Sequence, residues 1–289
     1  MATTIRNPVE WGVDQLKIAA LAVESVGRAV GGAREGIESE VPEVRRIGLA
    51  ELRVALSKGF EDFGIYRTDV AFLCIIYPIM GLIIGQMAVG SNMLALLFPL
   101  APGFALIGPF AGVGLYQMSR RREQGAQVGW PDAFGVIQSP AFGTIVVLGV
   151  ALVAVLLLWL GVAQAIYWST LGPNPPESVG LFLRDVFATD AGWTLIGVGV
   201  GVGFLFAVLV LTIGVVSFPV LLDRNVTLRT AVATSVCAVA ANPVPMAIWG
   251  VIVAGGLILG SIPLFLGLVI VMPVLGHATW HLYRQLVPR

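Results

Sequence analysis

The chain has 289 residues; 57% are hydrophobic, only 12% are charged, and 17 basic side chains balance 17 acidic ones. A soluble domain carries about 25% charged residues, so this composition excludes an ordinary soluble protein. The zero net charge gives no electrostatic reason to expect a nucleic-acid partner. The two cysteines, Cys74 and Cys237, have no metal-type spacing and imply no disulfide framework.

Four stretches contain no Asp, Glu, Lys or Arg: residues 70–119, 133–176, 191–222 and 230–283, with lengths of 50, 44, 32 and 54. A membrane-crossing helix needs about 20 apolar residues. Helices satisfy their own backbone polar groups in lipid. The pattern therefore predicts an all-α, polytopic membrane protein. We divide it into a charged amphipathic region, residues 1–69, and a transmembrane domain, residues 70–289.

The first region holds 9 of the 17 basic and 11 of the 17 acidic residues. No secretory signal is expected at its start, because residues 1–7 lack an apolar run and Glu10 and Asp14 interrupt the next stretch. Residues 9–30 read as an amphipathic helix opened by Asn7-Pro8 and ended by Gly31-Gly32. A second helix is predicted over about residues 42–60, with Val44, Ile47, Leu49, Leu52 and Leu56 on its apolar face. Such helices lie on the membrane, on a partner, or on the protein's own bundle.

Six spans are predicted, over about residues 69–90, 93–118, 142–168, 193–221, 244–259 and 263–283. Pro78 kinks the first, and Pro99, Pro102 and Pro109 interrupt the second. Glycines four residues apart, as in Gly81/Gly85, Gly108/Gly112, Gly197/Gly201, Gly199/Gly203 and Gly256/Gly260, let helices approach closely. The segments 1–69, 119–132, 223–229 and 284–289 hold 9, 3, 2 and 2 of the basic residues, and only Arg184 lies elsewhere. The positive-inside rule then places both termini in the cytoplasm of a bacterial inner membrane. It also makes residues 172–190 an external loop.

Residues 122–140 and 224–243 resemble each other at four positions: Ala133, Val136, Ser139 and Pro140 beside Val236, Val239, Asn242 and Pro243. We read each as an amphipathic elbow helix on the cytoplasmic face. Repeats of this kind occur in transporters, and equally in a bundle that only inherited a duplication.

Candidate chemistry is sparse. His277 and His281 are the chain's two histidines, and their spacing puts them on one helix face. They form half of a conceivable metal site, with Asp132 or Asp223 as further ligands, or hydrogen-bond at the interface. Arg120, Arg121 and Arg122 anchor topology first and could hold an anionic lipid head group. No enzyme motif is present, no cofactor is expected, and within the membrane depth there is no Asp, Glu, Lys or Arg to mark a proton path.

Several motifs resemble a known family: residues 55–63 (ALSKGFEDF), 67–72 (RTDVAF), Tyr77-Pro78, Gly108-Pro109, 114–116 (GLY), 119–121 (SRR) with Glu123 and Gly125, Trp130 with 132–134 (DAF), 221–224 (LLDR), Asn242-Pro243 and 276–284 (GHATWHLYR). They resemble a bacterial family of predicted integral membrane proteins of unknown function, some of whose members carry a cytochrome c oxidase subunit label. The resemblance implies a membrane location and brings no site residues. The catalytic oxidase subunit needs about six histidines on several helices, so this chain is not that subunit. The sequence is compatible with a non-catalytic accessory or scaffold component that meets membrane lipids, complex partners or further copies of itself. The alternative is a small-molecule or lipid transporter.

Overall fold

The computed structural model describes residues 40–76, 78–79, 81–83, 86, 99, 108–174, 176 and 178–288, with only the backbone at 67–73. The predicted helix over 9–30 lies outside these residues, as do parts of the first predicted span and the larger part of the second. Among the described residues the elements are helical: α1 Leu49–Cys74, α2 Val113–Glu123, a 3-10 helix Trp130–Gln138, α3 Phe142–Thr170, α4 Val179–Ala188, α5 Asp190–Gly214, α6 Ser217–Asp223, α7 Leu228–Ala241, α8 Pro243–Ser261 and α9 Leu268–Leu286.

Among them, Phe142–Thr170, Asp190–Asp223 and Pro243–Ser261 are long and apolar enough to cross a membrane. At 29 residues, α3 is about 43 Å long, more than the roughly 30 Å hydrocarbon layer. The break between α5 and α6 is caused by Pro219, which has no N–H to give to the carbonyl four residues back. Serines repair the exposed polar groups. The Ser217 hydroxyl donates to the Ile213 carbonyl at 2.5 Å, and Ser235 Oγ accepts from the Val216 N–H at 3.2 Å.

The most extensive helix pairing joins α1 to α9. The predicted helix over 42–60 is displaced: it begins at Leu49 and runs to Cys74 with a kink at Tyr66, crossing the 69/70 boundary. Its buried face also differs from the predicted one. Leu49 is exposed, while Leu52, Ala55, Gly59 and Asp62 are buried. Those four have the 3-4-3 spacing of a helix stripe. The stripe can pack closely because Gly59 has no side chain. A Cβ there would meet Ala278 Cβ at 2.6 Å and the Val274 carbonyl at 2.7 Å. On another face of α9, a Cβ on Gly276 would meet Leu115 of α2 at 2.5 Å. Thus α9 is held between α1 and α2.

Residues 41–48, predicted as helix in part, are extended or irregular and tied down by hydrogen bonds. The Arg45 N–H donates to the Leu286 carbonyl at 2.8 Å. Asn242 Oδ1 accepts from the Ile47 N–H at 2.7 Å, and Asn242 Nδ2 donates to the Arg45 and Ala238 carbonyls, each at 3.0 Å. Asn242 is buried, and a buried hydrogen bond contributes about 0.5–1.5 kcal/mol net. Asn242→Ala is therefore expected to cost about 3 kcal/mol, seen as a lower Tm in detergent, with Asn242→Asp no better, because a carboxylate oxygen cannot donate to the two carbonyls.

The two matched segments do not adopt one structure. Residues 130–138 form a 3-10 helix closed by Asp132, which accepts from the Gly129 N–H at 2.8 Å. Residues 228–241 form an α-helix capped by Thr227, which accepts from the Thr230 N–H at 3.0 Å. Pro131, Gly129 and Gly135 explain the difference, since the second segment has neither proline nor glycine between Leu228 and Ala241. Residues 179–188, predicted as external loop, form α4, capped by Ser178.

Candidate functional site

The ends of α2, α6 and α9 meet at one end of the bundle, and Arg120, Arg121, Arg122, Asp223 and Arg284 gather there. The site's centre is Asp62, on the buried stripe of α1. Four side chains converge on its carboxylate. Arg122 pairs with Oδ1. Ser119 Oγ lies 2.5 Å from Oδ2, and His281 Nε2 lies 2.9 Å from the same oxygen. His277 Nδ1 lies 2.7 Å from Ser119 Oγ and 3.8 Å from Asp62 Oδ2. Asp62, Ser119 and His277 are all essentially inaccessible to solvent.

The proton positions are fixed by this geometry. A carboxylate paired with arginine only accepts, so Ser119 donates its single proton to Asp62. His277 Nδ1 must then carry a proton and donate to Ser119 Oγ. His281 Nε2 likewise donates to Asp62. In the neutral ring His277 Nε2 then carries no proton. The result is a chain of donors, His277 to Ser119 to Asp62, met from the other side by His281. A cleft of about 250 Å³ opens onto it, lined by Lys58, Glu61, Asp62, Ser119, Arg122, Glu123, His281, Arg284 and Gln285.

Arg122 also reaches Glu61, Nη2 to Oε1 at 2.6 Å. That hydrogen bond, then the charge of Arg122, holds the Glu61 carboxyl below its ordinary range. A lowered folded pKa stabilises the fold above the ordinary carboxylate range, and the contribution disappears as pH falls through the folded value. Glu61→Gln is therefore expected to lower Tm slightly near neutrality and to flatten the acid limb of a Tm-against-pH profile by the same small amount, small because the pair is exposed.

A second cluster sits beside the first and shares Glu123 and Arg284 with the cleft. Asp223, at the end of α6, accepts from Tyr283 OH at 2.8 Å and from Arg284 Nη1 and Nη2 at 2.7 and 3.1 Å. Arg120 Nε lies 3.4 Å away. Glu123 Oε2 accepts from Arg284 Nε at 2.9 Å. The Arg284 guanidinium also stacks 4.9 Å from the Trp280 ring centre and 5.4 Å from that of Tyr283.

The structure separates the predicted site residues and regroups them. Arg120, Arg121 and Arg122, read as one basic anchor, point to three different acids: Asp223, Asp132 and Asp62. His277 and His281 do come together with an acid, but it is Asp62, 215 positions from the first histidine, not Asp132 or Asp223. No three or more His, Cys, Asp or Glu side chains among the described residues are arranged as a metal shell. Sequence reasoning missed Asp62. The available signal was a charged residue in register with Leu52, Ala55 and Gly59 on an otherwise apolar stripe.

The chain matches, over residues 97–223, the model of a family described as "Predicted integral membrane protein (DUF2189)". The matched stretch includes Ser119, the three arginines, Asp132 and Asp223, while Asp62 and both histidines fall outside it. No curated protein and no solved structure matches the chain. With three long apolar helices among its described residues and this likeness to a membrane family without an assigned function, the chain is a multi-pass integral membrane protein.

Proposed function

We propose that the protein is a non-catalytic scaffold or accessory component of a larger assembly in a bacterial inner membrane. One observation carries this reading. The ionisable side chains of the charged end are engaged with one another: Asp62 with Arg122 and His281, Asp132 with Arg121, and Asp223 with Arg120 and Arg284. Partners of this kind clamp helices together. A turnover site instead keeps a nucleophile, acid or base available to substrate. In this reading the chain has six spans, two elbows at residues 122–140 and 224–243, and both termini in the cytoplasm. The support for that orientation is the count of basic residues along the sequence, since the segments 1–69, 119–132, 223–229 and 284–289 hold all of them but Arg184.

Purification of the tagged full chain from native membranes in a mild detergent, followed by mass spectrometry, tests the proposal. Stoichiometric partner subunits are expected. A lone monomer would overturn it. Orientation is read by membrane-impermeant thiol labelling of a cysteine placed at Arg184 or Gln124 in a chain lacking Cys74 and Cys237. Labelling from the periplasm is expected at 184 and not at 124, and the reverse pattern inverts the topology.

A further inference from the structure

At the end of the bundle away from the charged clusters, a cavity of about 480 Å³ lies between α3, α4 and α5. Trp159, Ala163 and Tyr167 form its α3 wall, Phe182 and Val186 its α4 wall, and Gly199 part of its α5 wall. Both polar tips in this lining are engaged elsewhere. Trp159 Nε1 donates to the Pro99 carbonyl and Tyr167 OH to the Asn174 carbonyl, each at 2.9 Å. What faces the cavity is hydrocarbon. Water needs roughly two to four polar partners, and a polar solute needs groups to orient it; the described lining offers neither. The volume lies within the roughly 300–1,000 Å³ typical of ligand sites.

The cavity is continuous with the apolar outside of the bundle. Leu183 and Phe187 form part of its rim and are 47% and 59% exposed. Trp168 and Trp193, at the adjoining ends of α3 and α5, are exposed as well, as aromatics at a membrane interface are. Trp159 and Tyr167 are eight residues apart on α3, so the cavity extends about 12 Å along that helix. A hydrocarbon chain entering from the interface has the shape, polarity and source to fill this space.

We propose that the cavity is a binding site for one acyl chain of a bilayer lipid, with the amphipathic helix α4 as its cover. The site is distinct from the clamp at the charged end. It does not depend on the scaffold reading, because its test is read on lipid and not on partner proteins. Gly199 supplies the test. No atom lies within 4 Å of a Cβ built there, so Gly199→Leu fills the cavity without a clash, and leucine is the better helix former.

The full chain is reconstituted into vesicles of phosphatidylethanolamine and phosphatidylglycerol, extracted into a delipidating detergent and weighed by native mass spectrometry. The wild-type chain is expected to retain one lipid, and Gly199→Leu to lower the retained fraction at least tenfold. Val251→Leu, at a 72% exposed position on α8, should retain as much as wild type. Added lipid should raise the Tm of the wild type and not of Gly199→Leu. Ala163→Leu repeats the test from the opposite wall should the first variant fold poorly. Equal retention by wild type and both filled variants would overturn the proposal. So would complete loss of lipid from the wild type, or a second polypeptide retained in its place.

Discussion

Asp62→Asn is expected to be the most damaging single-atom change in the described part of this protein. The substitution keeps the shape and removes the charge that Arg122 faces, and an amide cannot accept from Arg122, Ser119 and His281 together. Breaking a buried ion pair by removing one partner costs about 3–5 kcal/mol, and because Arg122 keeps its pairing with Glu61 the lower part of that range is expected. The cost should appear locally, as separation of α1 from α2 and α9. Cys74, at the end of α1, reports on that separation: its thiol is buried whereas Cys237 is exposed. In detergent, Cys237 should label fast in both proteins. Cys74 should label about two to three powers of ten faster in Asp62→Asn, at roughly 1.4 kcal/mol per factor of ten. An unchanged Cys74 rate, with an unchanged Tm, would show that the carboxylate does not hold α1 in place. Combining Asp62→Asn with Arg122→Gln should recover part of the loss, since neither charge is then left alone.

Gly59→Val carries the second large effect, through sterics and not charge. The added atoms would meet Ala278 Cβ and also the Val274 carbonyl and Ala278 nitrogen of the α9 backbone, at 2.6, 2.7 and 2.8 Å. A side-chain tip can turn away, but a helix backbone cannot, so the two helices must move apart. Overpacking of this kind costs about 1–3 kcal/mol. The separation also lengthens the 2.9 Å His281–Asp62 contact, so the total should approach that of Asp62→Asn. Ala278→Gly in the same chain should rescue only partly, because the two backbone contacts remain. Gly64→Ala is the matched control. Nothing lies within 4 Å of its Cβ, and the change gains up to about 1 kcal/mol of helix propensity. A Tm for Gly59→Val equal to that of Gly64→Ala would show that α1 and α9 do not pack at this register.

Both predictions fall on one interface, and the proposed role explains why that interface is polar. An apolar seam between α1 and α9 would be as stable. The carboxylate adds a fixed register, because Asp62 meets Arg122, Ser119 and His281 at only one position of the helix. Asn242 fixes the preceding segment in the same way, through its bonds to Arg45 and Ile47.

Much of this protein was legible in the linear sequence. Uncharged runs of 32 to 54 residues can be buried only in lipid, so helical membrane architecture comes directly from composition and length. The apolar pattern also located α3, α8 and the combined α5–α6 stretch to within a few residues, because long apolar helices need no partner to be recognised. The helix α4 was legible but overlooked: Ser178 precedes apolar residues at 179, 182, 183, 186 and 187, a capped amphipathic pattern. The outcome at residues 130–138 was less accessible, since the same amphipathic pattern serves a 3-10 helix when Gly129, Pro131 and Gly135 oppose the wider turn.

What the sequence did not contain is which charge meets which. Arg120, Arg121 and Arg122 are adjacent in the chain and look like one patch. Successive helical residues point about 100° apart, so in three dimensions they serve three acids. The acid at the histidine pair comes from 215 positions away, and no local rule connects Asp62 to His277. That partnership exists only because Gly59 and Ala278 let α1 and α9 touch, which brings the one charge on an apolar stripe against the one polar face of α9. The membrane fold was determined by local composition; the polar clamp was decided by the close approach of two distant helices.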